Sequence, residues 1–287
     1  MLNLLWVRSF LTVVETGSFQ AAANQLGLAQ PTISLHIQKL EDQLGTTLLQ
    51  RSRNRCRPSS SALAFIPHGE SLLALNQRAV DSVKAQTVRV GASSNIGIYL
   101  LQPYLKTYQH KQAEPFELSI DKNSRIADLL ETGQLDIGLM EWWDRRPGFE
   151  AKSWRCEPLV LIVAPDHPWA GRTLVTREEL KAVALLGGEP GTGTGRLLNA
   201  YFGTTWQPLA PGLQLGSTEA VKQAVRCGLG VSLVLRSCVD AEVRAGSLVA
   251  LSLDPPGLHK TLWAIWRKPT PTRGGAVPRF VNHILEG

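Results

Sequence analysis

The sequence predicts an N-terminal all-α helix-turn-helix unit, one connecting helix and a larger C-terminal α/β domain arranged in two lobes. Three observations carry that prediction. Apolar residues recur at helical spacing through the first 45 positions, punctuated by cap and glycine signals. A separate amphipathic stretch follows over 68–86, and from Thr87 strand-like runs alternate with helical segments. With 287 residues, 44% hydrophobic and 19% charged, the chain is long and apolar enough for two or three packed domains.

The first helix is read from Leu4, Leu5, Phe10, Leu11, Val13 and Val14, behind Asn3 as N-cap, and Thr16-Gly17-Ser18 breaks it. Ser18 caps a second helix, Phe19 to Leu26, whose Ala21, Ala22 and Ala23 permit close approach by a neighbour, and Gly27 stops it. The third begins near Pro31 and runs to Leu44 before Gly45. Its stripe of Ile33, Ile37, Leu40 and Leu44 faces inward; Gln30, Thr32, Ser34, His36, Gln38 and Lys39 form the opposite face. Two short helices, a glycine turn and a third helix with a hydrogen-bonding face describe a helix-turn-helix suited to a major groove. An ordinary three-helix bundle with a solvated face is the competing reading.

Charge supports the groove. The chain carries 30 Lys and Arg against 24 Asp and Glu, a mild excess. Residues 1–86 hold eight basic against five acidic side chains, and Arg51, Arg53, Arg55 and Arg57 crowd into one short stretch that can neutralise phosphates. Other classes fall away. No apolar run approaches the roughly 20 residues of a membrane span. The first residues lack a basic n-region and cleavage site, which points to a cytoplasmic protein. Cys56, Cys156, Cys227 and Cys238 are scattered, so neither a zinc site nor a disulfide scaffold is expected.

The segments Phe19-Gln20-Ala21-Ala22-Ala23-Asn24-Gln25-Leu26-Gly27-Leu28, Gln30-Pro31-Thr32-Ile33-Ser34, Ile37-Gln38-Lys39-Leu40-Glu41, Leu44-Gly45 and Arg51-Ser52 resemble the winged helix-turn-helix of LysR-type transcriptional regulators. That resemblance implies that the helix from Gln30 enters the major groove and that a β-wing contacts the backbone. Three departures stand out. Ala29 replaces the usual Ser or Thr cap, at a cost of about 1 kcal/mol. Leu35 occupies a position often held by Arg. About seven residues, around Pro58 to Ala64, are in excess before Ile66-Pro67-His68-Gly69, which predicts an enlarged or disordered wing.

From His68 to Gln86, Leu72, Leu73, Leu75, Ala79, Val80 and Val83 give a helix one broad apolar side. It can pair with the same helix of a second subunit or dock on its own domain; the family resemblance favours the dimer.

Beyond Thr87, strands are expected at Val88–Gly91, Phe116–Ile120, Leu135–Leu139, Leu159–Ala164, Val183–Leu186, Val231–Leu235, Leu248–Leu251 and Thr261–Trp266. Helices are expected at Ile96–His110, Ser124–Thr132, Arg196–Phe202, Thr218–Cys227, Ser237–Ala245 and Arg279–Leu285. Repeated βα units argue a parallel architecture. Gly91-Ala92-Ser93-Ser94-Asn95-Ile96-Gly97, Asp166-His167-Pro168 and Gly216-Ser217-Thr218-Glu219-Ala220-Val221-Lys222 look like the LysR-type effector domain. The resemblance implies a two-lobed, periplasmic-binding-protein-like fold whose chain crosses between lobes twice, here placed near Pro165 and Trp266.

Ser93-Ser94-Asn95 lies between a strand and a helix, and Gly191-Thr192-Gly193-Thr194-Gly195 precedes another. Hydroxyls, an amide and helix N-termini favour a small anion between lobes, although two solvated turns would look the same locally. The Glu189–Thr194 and Gly91–Leu101 segments look closest to members controlling carbon fixation or sulfur-oxyanion metabolism. Those members usually carry Arg immediately after the loop, where this chain has Gly195 followed by Arg196. Enzyme signatures are missing: the glycine-rich loop lacks a P-loop ending, no G-x-S-x-G elbow occurs, and the six histidines are isolated.

The expected organisation is a winged helix-turn-helix over 1–67, a linker helix over 68–86 and an effector domain over 87–287. Its first lobe would take 87–163 and 267–287, and its second 164–266. The expected activity is promoter binding modulated by an organic acid, sugar phosphate or sulfur oxyanion, without a cofactor or metal. Partners would be double-stranded promoter DNA and RNA polymerase, with a homodimer assembling to a homotetramer and no membrane. DNA contacts are assigned to Gln30, Pro31, Thr32, Ser34, His36 and Lys39, with Arg51 and Arg53 on phosphates. Effector contacts are assigned to Ser93, Ser94, Asn95, Thr192 and Thr194, with Ser124 and Thr218 behind them. The alternative is a small-molecule-binding or enzymatic α/β module whose N-terminal helices only dimerise.

Overall fold

Helix α1 (Leu4–Thr16) starts where the Asn3 side chain accepts the Leu5 N–H at 2.9 Å, and α2 (Phe19–Leu26) starts at Ser18, which accepts from Ala21. Gly17 and Gly27 end them at φ 68° and 65°, a left-handed conformation in which a side chain would be strained. Helix α3 (Gln30–Leu44) begins at Ala29 with no side-chain cap and ends at Gly45. Val7, Phe10 and Val13 of α1, Ala22 and Ala23 of α2 and Ile33, Ile37 and Leu40 of α3 are all buried in one core. Among the residues around them, the computed structural model describes 1–52, 55–81, 87–112, 114–183, 185–188, 192–203, 213–253, 258–268 and 275–287.

Strands β1 (Leu49–Ser52) and β2 (Arg55–Pro58) pair antiparallel, with Ser52 opposite Arg55. Glu41 fixes the entry to this wing by accepting the Leu48 and Leu49 N–H groups at 2.6 and 3.0 Å. The wing is compact, which corrects the expected enlargement. Pro58 closes β2, Ser59 caps the next helix by accepting from Ala62 at 3.1 Å, and the supposed excess is the start of α4 (Ser60–Asp81). The linker helix thus begins eight residues before His68, with Pro67 inside it. Its first half docks on α1: Phe65 lies 5.8 Å from Phe10 between ring centroids, and a Cβ on Gly69 would meet Val7 at 3.2 Å. Leu75 and Val80 further along remain exposed. Residues 82–86, including Val83, lie outside the described residues.

These helices and the wing fall in one compact unit, residues 1–87 with 128–135; residues 88–127 and 136–287 form the other. After Thr87, β3 (Val88–Ser93) leads through a π-wound turn (Ile96–Leu100) into α5 (Gln102–Gln112), then β4 (Phe116–Asp121), α6 (Asn123–Glu131) and β5 (Ile137–Met140). A long β6 (Phe149–Val163) follows, then β7 (Leu174–Val175), α7 (Arg177–Lys181), β8 (Leu185–Leu186) and α8 (Gly193–Phe202). The chain continues with α9 (Thr218–Arg226), β9 (Val231–Leu235), a 3₁₀ turn (Arg236–Cys238), α10 (Asp240–Arg244) and β10 (Val249–Leu253). It ends on β11 (His259–Arg267) and α11 (Ala276–Glu286).

The sheet is mixed rather than parallel. β3, β4 and β5 run parallel, whereas β11 pairs antiparallel with both β5 and β6. Residues Phe149–Pro158 of β6 pair with β11. Its last five, Leu159–Val163, sit between β9 and β10 in a second lobe. The lobes therefore exchange the chain within β6 at Pro158–Leu159 and at the start of β11, where His259 pairs with Pro158. This corrects the crossings expected near Pro165 and Trp266 and moves the lobe boundaries with them. Each lobe has its own core, one around Val90, Leu139, Ala264 and Phe280, the other around Leu161, Val225, Leu233 and Leu251.

Candidate functional site: a DNA-reading helix and an interlobe seam

With Ile33, Ile37 and Leu40 buried, the helical repeat turns Pro31, Leu35 and Gln38 outward, and all three are exposed. Ser34 flanks that face and is joined to Gln30, whose Nε2 donates to Ser34 Oγ at 3.0 Å. Thr32 is half-buried, and the Lys39 ammonium lies 5.6 Å from the centre of the Trp6 ring. His36 is turned elsewhere: its Nδ1 is 2.8 Å from the Oγ of buried Ser9 on α1. Burial, then the neighbouring Lys39 charge, pushes the imidazole pKa below its usual value. His36 is thus engaged within the helix bundle rather than on the open face. The backbone of Arg51 lies in β1, but its side chain, and Arg53 altogether, lie outside the described residues.

In the other unit, Ser93 ends β3 and is 1% exposed, yet its Oγ has no hydrogen-bond partner among the described residues. Register sets what stands beside it. Ala92 pairs with Leu139, so Ser93 and the Glu141-Trp142 segment emerge together at the C-terminal edge of adjacent parallel strands. In open α/β sheets that edge is where ligands bind. Asn123 clamps the segment: its Oδ1 accepts the Glu141 N–H at 2.9 Å, and its Nδ2 donates to the Trp142 carbonyl at 3.2 Å. The Trp142 indole N–H is also buried without a partner among the described residues.

The second lobe closes on this edge. Thr192 caps α8 by accepting the Gly195 N–H at 2.9 Å. A Cβ on Gly193 would come within 3.0 Å of the Trp142 ring, so glycine permits the approach. Buried Lys260 of β11 donates to Glu141 Oε2 at 2.7 Å and to Thr194 Oγ1 at 3.1 Å. Arg196 lies with its guanidinium 4.1 Å from the centre of the Trp142 ring, which is where the displaced loop arginine goes. Thr218 donates to Asn95 Oδ1 at 2.7 Å. Beside it, Tyr99 donates to Glu219, which pairs with Lys222 at 2.6 Å. Burial opposes the charged form of Lys222, but bonds to Glu219 and Glu242 outweigh it and raise its pKa. Burial pushes the Cys238 thiol far above its usual pKa, which makes it a packing group rather than a nucleophile.

Of the predicted effector residues, the fold thus brings Ser93, Asn95, Thr192, Thr194 and Thr218 to one seam. Ser94 instead donates to the Asp121 carbonyl at 3.2 Å, and Ser124 is exposed on the first turn of α6, where Asn123 makes the contacts. Sequence reasoning missed Asn123, Glu141 and Lys260, which belong to no local motif. Among the described residues no cluster suits a metal and no helix is long and apolar enough to cross a membrane.

Comparison with known proteins agrees with both halves. The family described as bacterial regulatory helix-turn-helix protein, lysR family, matches residues 4–63, and the LysR substrate binding domain matches residues 82–287. A Stutzerimonas stutzeri protein named "Putative HTH-type transcriptional regulator protein PtxE" is 53% identical over 68% of this chain and its own whole length. The RuBisCO operon transcriptional regulator of Allochromatium vinosum is 26% identical over 93% of this chain and 90% of its own. The crystal structure of CbnR, a LysR family transcriptional regulator, superposes with a TM-score of 0.72 at 21% identity, covering 99% of this chain and 98% of that one.

Proposed function

The chain belongs to the LysR family of bacterial transcriptional regulators, and from that membership we propose that its hold on promoter DNA is modulated by a small anionic metabolite bound in the interlobe seam. It is a regulator rather than an enzyme, with a helix-turn-helix for DNA and a substrate-binding domain for an effector.

The observation that carries the anionic reading is Ser93. A nearly inaccessible hydroxyl left without a partner is costly, and a ligand that accepts from it removes the cost. The Trp142 indole N–H is a second such donor among the described residues, and the Lys260 ammonium, paired with the Glu141 carboxylate, stands at the same seam. Donors of this kind suit an organic acid, a sugar phosphate or a sulfur oxyanion. The last two are favoured by the likeness of the Gly91–Leu101 segment to regulators of carbon fixation and sulfur-oxyanion metabolism.

Coupling requires the effector to prefer one arrangement of the lobes. Pairing through the exposed part of α4 makes a dimer, two dimers make a tetramer, and a changed lobe angle alters DNA bending and RNA polymerase access. Thermal unfolding of the full chain with phosphate, sulfate, thiosulfate, 3-phosphoglycerate and citrate tests the seam. One anion class is expected to raise Tm in a concentration-dependent way. Ser93→Phe and Thr192→Phe are expected to abolish that shift while DNA binding persists. An unchanged shift in both variants places the ligand elsewhere, and no shift with any anion sinks the anionic reading.

A further inference from the structure

We infer that Leu35 reads the C5 methyl of one thymine per half-site, giving this regulator an apolar specificity contact on the second turn of its recognition helix. Leu35 is 47% exposed on the second turn of α3, on the side opposite Ile33, Ile37 and Leu40. Single exposed leucines are common and ordinarily need no explanation. This one lies in the middle of the face that a helix-turn-helix presents to base edges, in the N-terminal half of the helix that contacts them.

Its neighbours frame an apolar contact. Pro31, one turn earlier on the same face, is exposed as well, so the two form a short apolar ridge. Ser34 and Gln38 border the ridge with hydroxyl and amide groups, and no charged group of α3 lies between them. Lys39 is drawn toward Trp6, and His36 toward Ser9. In the major groove the thymine methyl is the apolar feature of a base edge, so it is the complement of a leucine placed there. Arginine at this position would reach a phosphate or a guanine; leucine replaces that polar reach with discrimination for thymine.

This inference rests on α3 being the DNA-reading helix, and the experiment separates the two. Duplexes enriched from the source genome on the purified full-length protein at about 150 mM salt define the half-site. Each thymine is then replaced singly by deoxyuridine, which lacks only the C5 methyl. One position is expected to lose about fourfold in affinity, the effect of one buried methyl group. Leu35→Ala is expected to bind the thymine and deoxyuridine duplexes equally, and Leu35→Arg to shift preference toward guanine at that position. The inference is overturned by wild-type protein indifferent to every deoxyuridine, by a loss that persists in Leu35→Ala, or by an unshifted preference in Leu35→Arg. A failure to enrich any duplex, or enrichment unaffected by Gln30→Ala and Ser34→Ala, overturns the reading of α3 itself.

Discussion

The imidazole Nδ1 of His36 lies 2.8 Å from the hydroxyl of Ser9, joining α3 to α1 beside the buried Ile33 and Ile37. The surroundings of His36 make the helix-turn-helix sensitive to pH. Burial, then the Lys39 charge, holds the imidazole pKa below its ordinary value of 6.5. Below that value the unfolded chain therefore takes the proton more readily than the folded one. Stability is fully present above pH 6.5 and is lost as pH falls toward the depressed folded pKa. Denaturant unfolding between pH 8 and pH 5 is expected to show this loss in the wild type and a flatter profile in His36→Gln. Parallel profiles would mean that the histidine is not held neutral.

Gln30 and Ser34 act as a pair, because the Gln30 amide donates to Ser34 Oγ at 3.0 Å and thereby fixes the orientation of that amide. Gln30→Ala and Ser34→Ala are each expected to weaken selective binding by about 1–3 kcal/mol, with less effect on random DNA. The double variant should lose less than the sum of the two. Equal losses on selected and random duplexes, measured side by side, would remove both residues from base reading.

Lys260 and Glu141 form a buried pair, 4% and 11% exposed at their side chains, with 2.7 Å between Nζ and Oε2. Lys260→Met leaves the carboxylate without its cation and should destabilise the effector domain by about 3–5 kcal/mol. Adding Glu141→Gln should restore part of that stability, since the stranded charge is then gone. Additive losses in denaturant titrations of the two variants would show that the pair is not coupled.

Much of this was legible in the sequence where the signal is local. Asn3, Ser18, Gly17 and Gly27 mark the helix ends by cap and turn chemistry within a few residues of each boundary. Non-local features were not legible. The linker reads as a helix from His68, and only the Ser59 cap together with docking on α1 shows that α4 already begins at Ser60. The crossing at Pro158–Leu159 is a matter of which strands β6 pairs with, which no window of sequence contains. For the same reason His36 fell among the polar candidates, since periodicity does not reveal the hydroxyl of Ser9 beneath it.

Ser93 offers a test in which stability and ligand response move apart. Its Oγ is buried and has no partner among the described residues, so Ser93→Ala removes a polar atom whose burial is uncompensated there. The variant is expected to be as stable as the wild type or up to about 1 kcal/mol more so. A structural hydroxyl behaves in the opposite way: Thr218→Val breaks the 2.7 Å bond to Asn95 and should cost about 1 kcal/mol. The same Ser93→Ala protein should respond more weakly to whichever anion raises the wild-type Tm, because one donor to that anion is missing. A Ser93→Ala protein less stable than the wild type, with an undiminished anion response, would make Ser93 a structural residue and not a ligand donor.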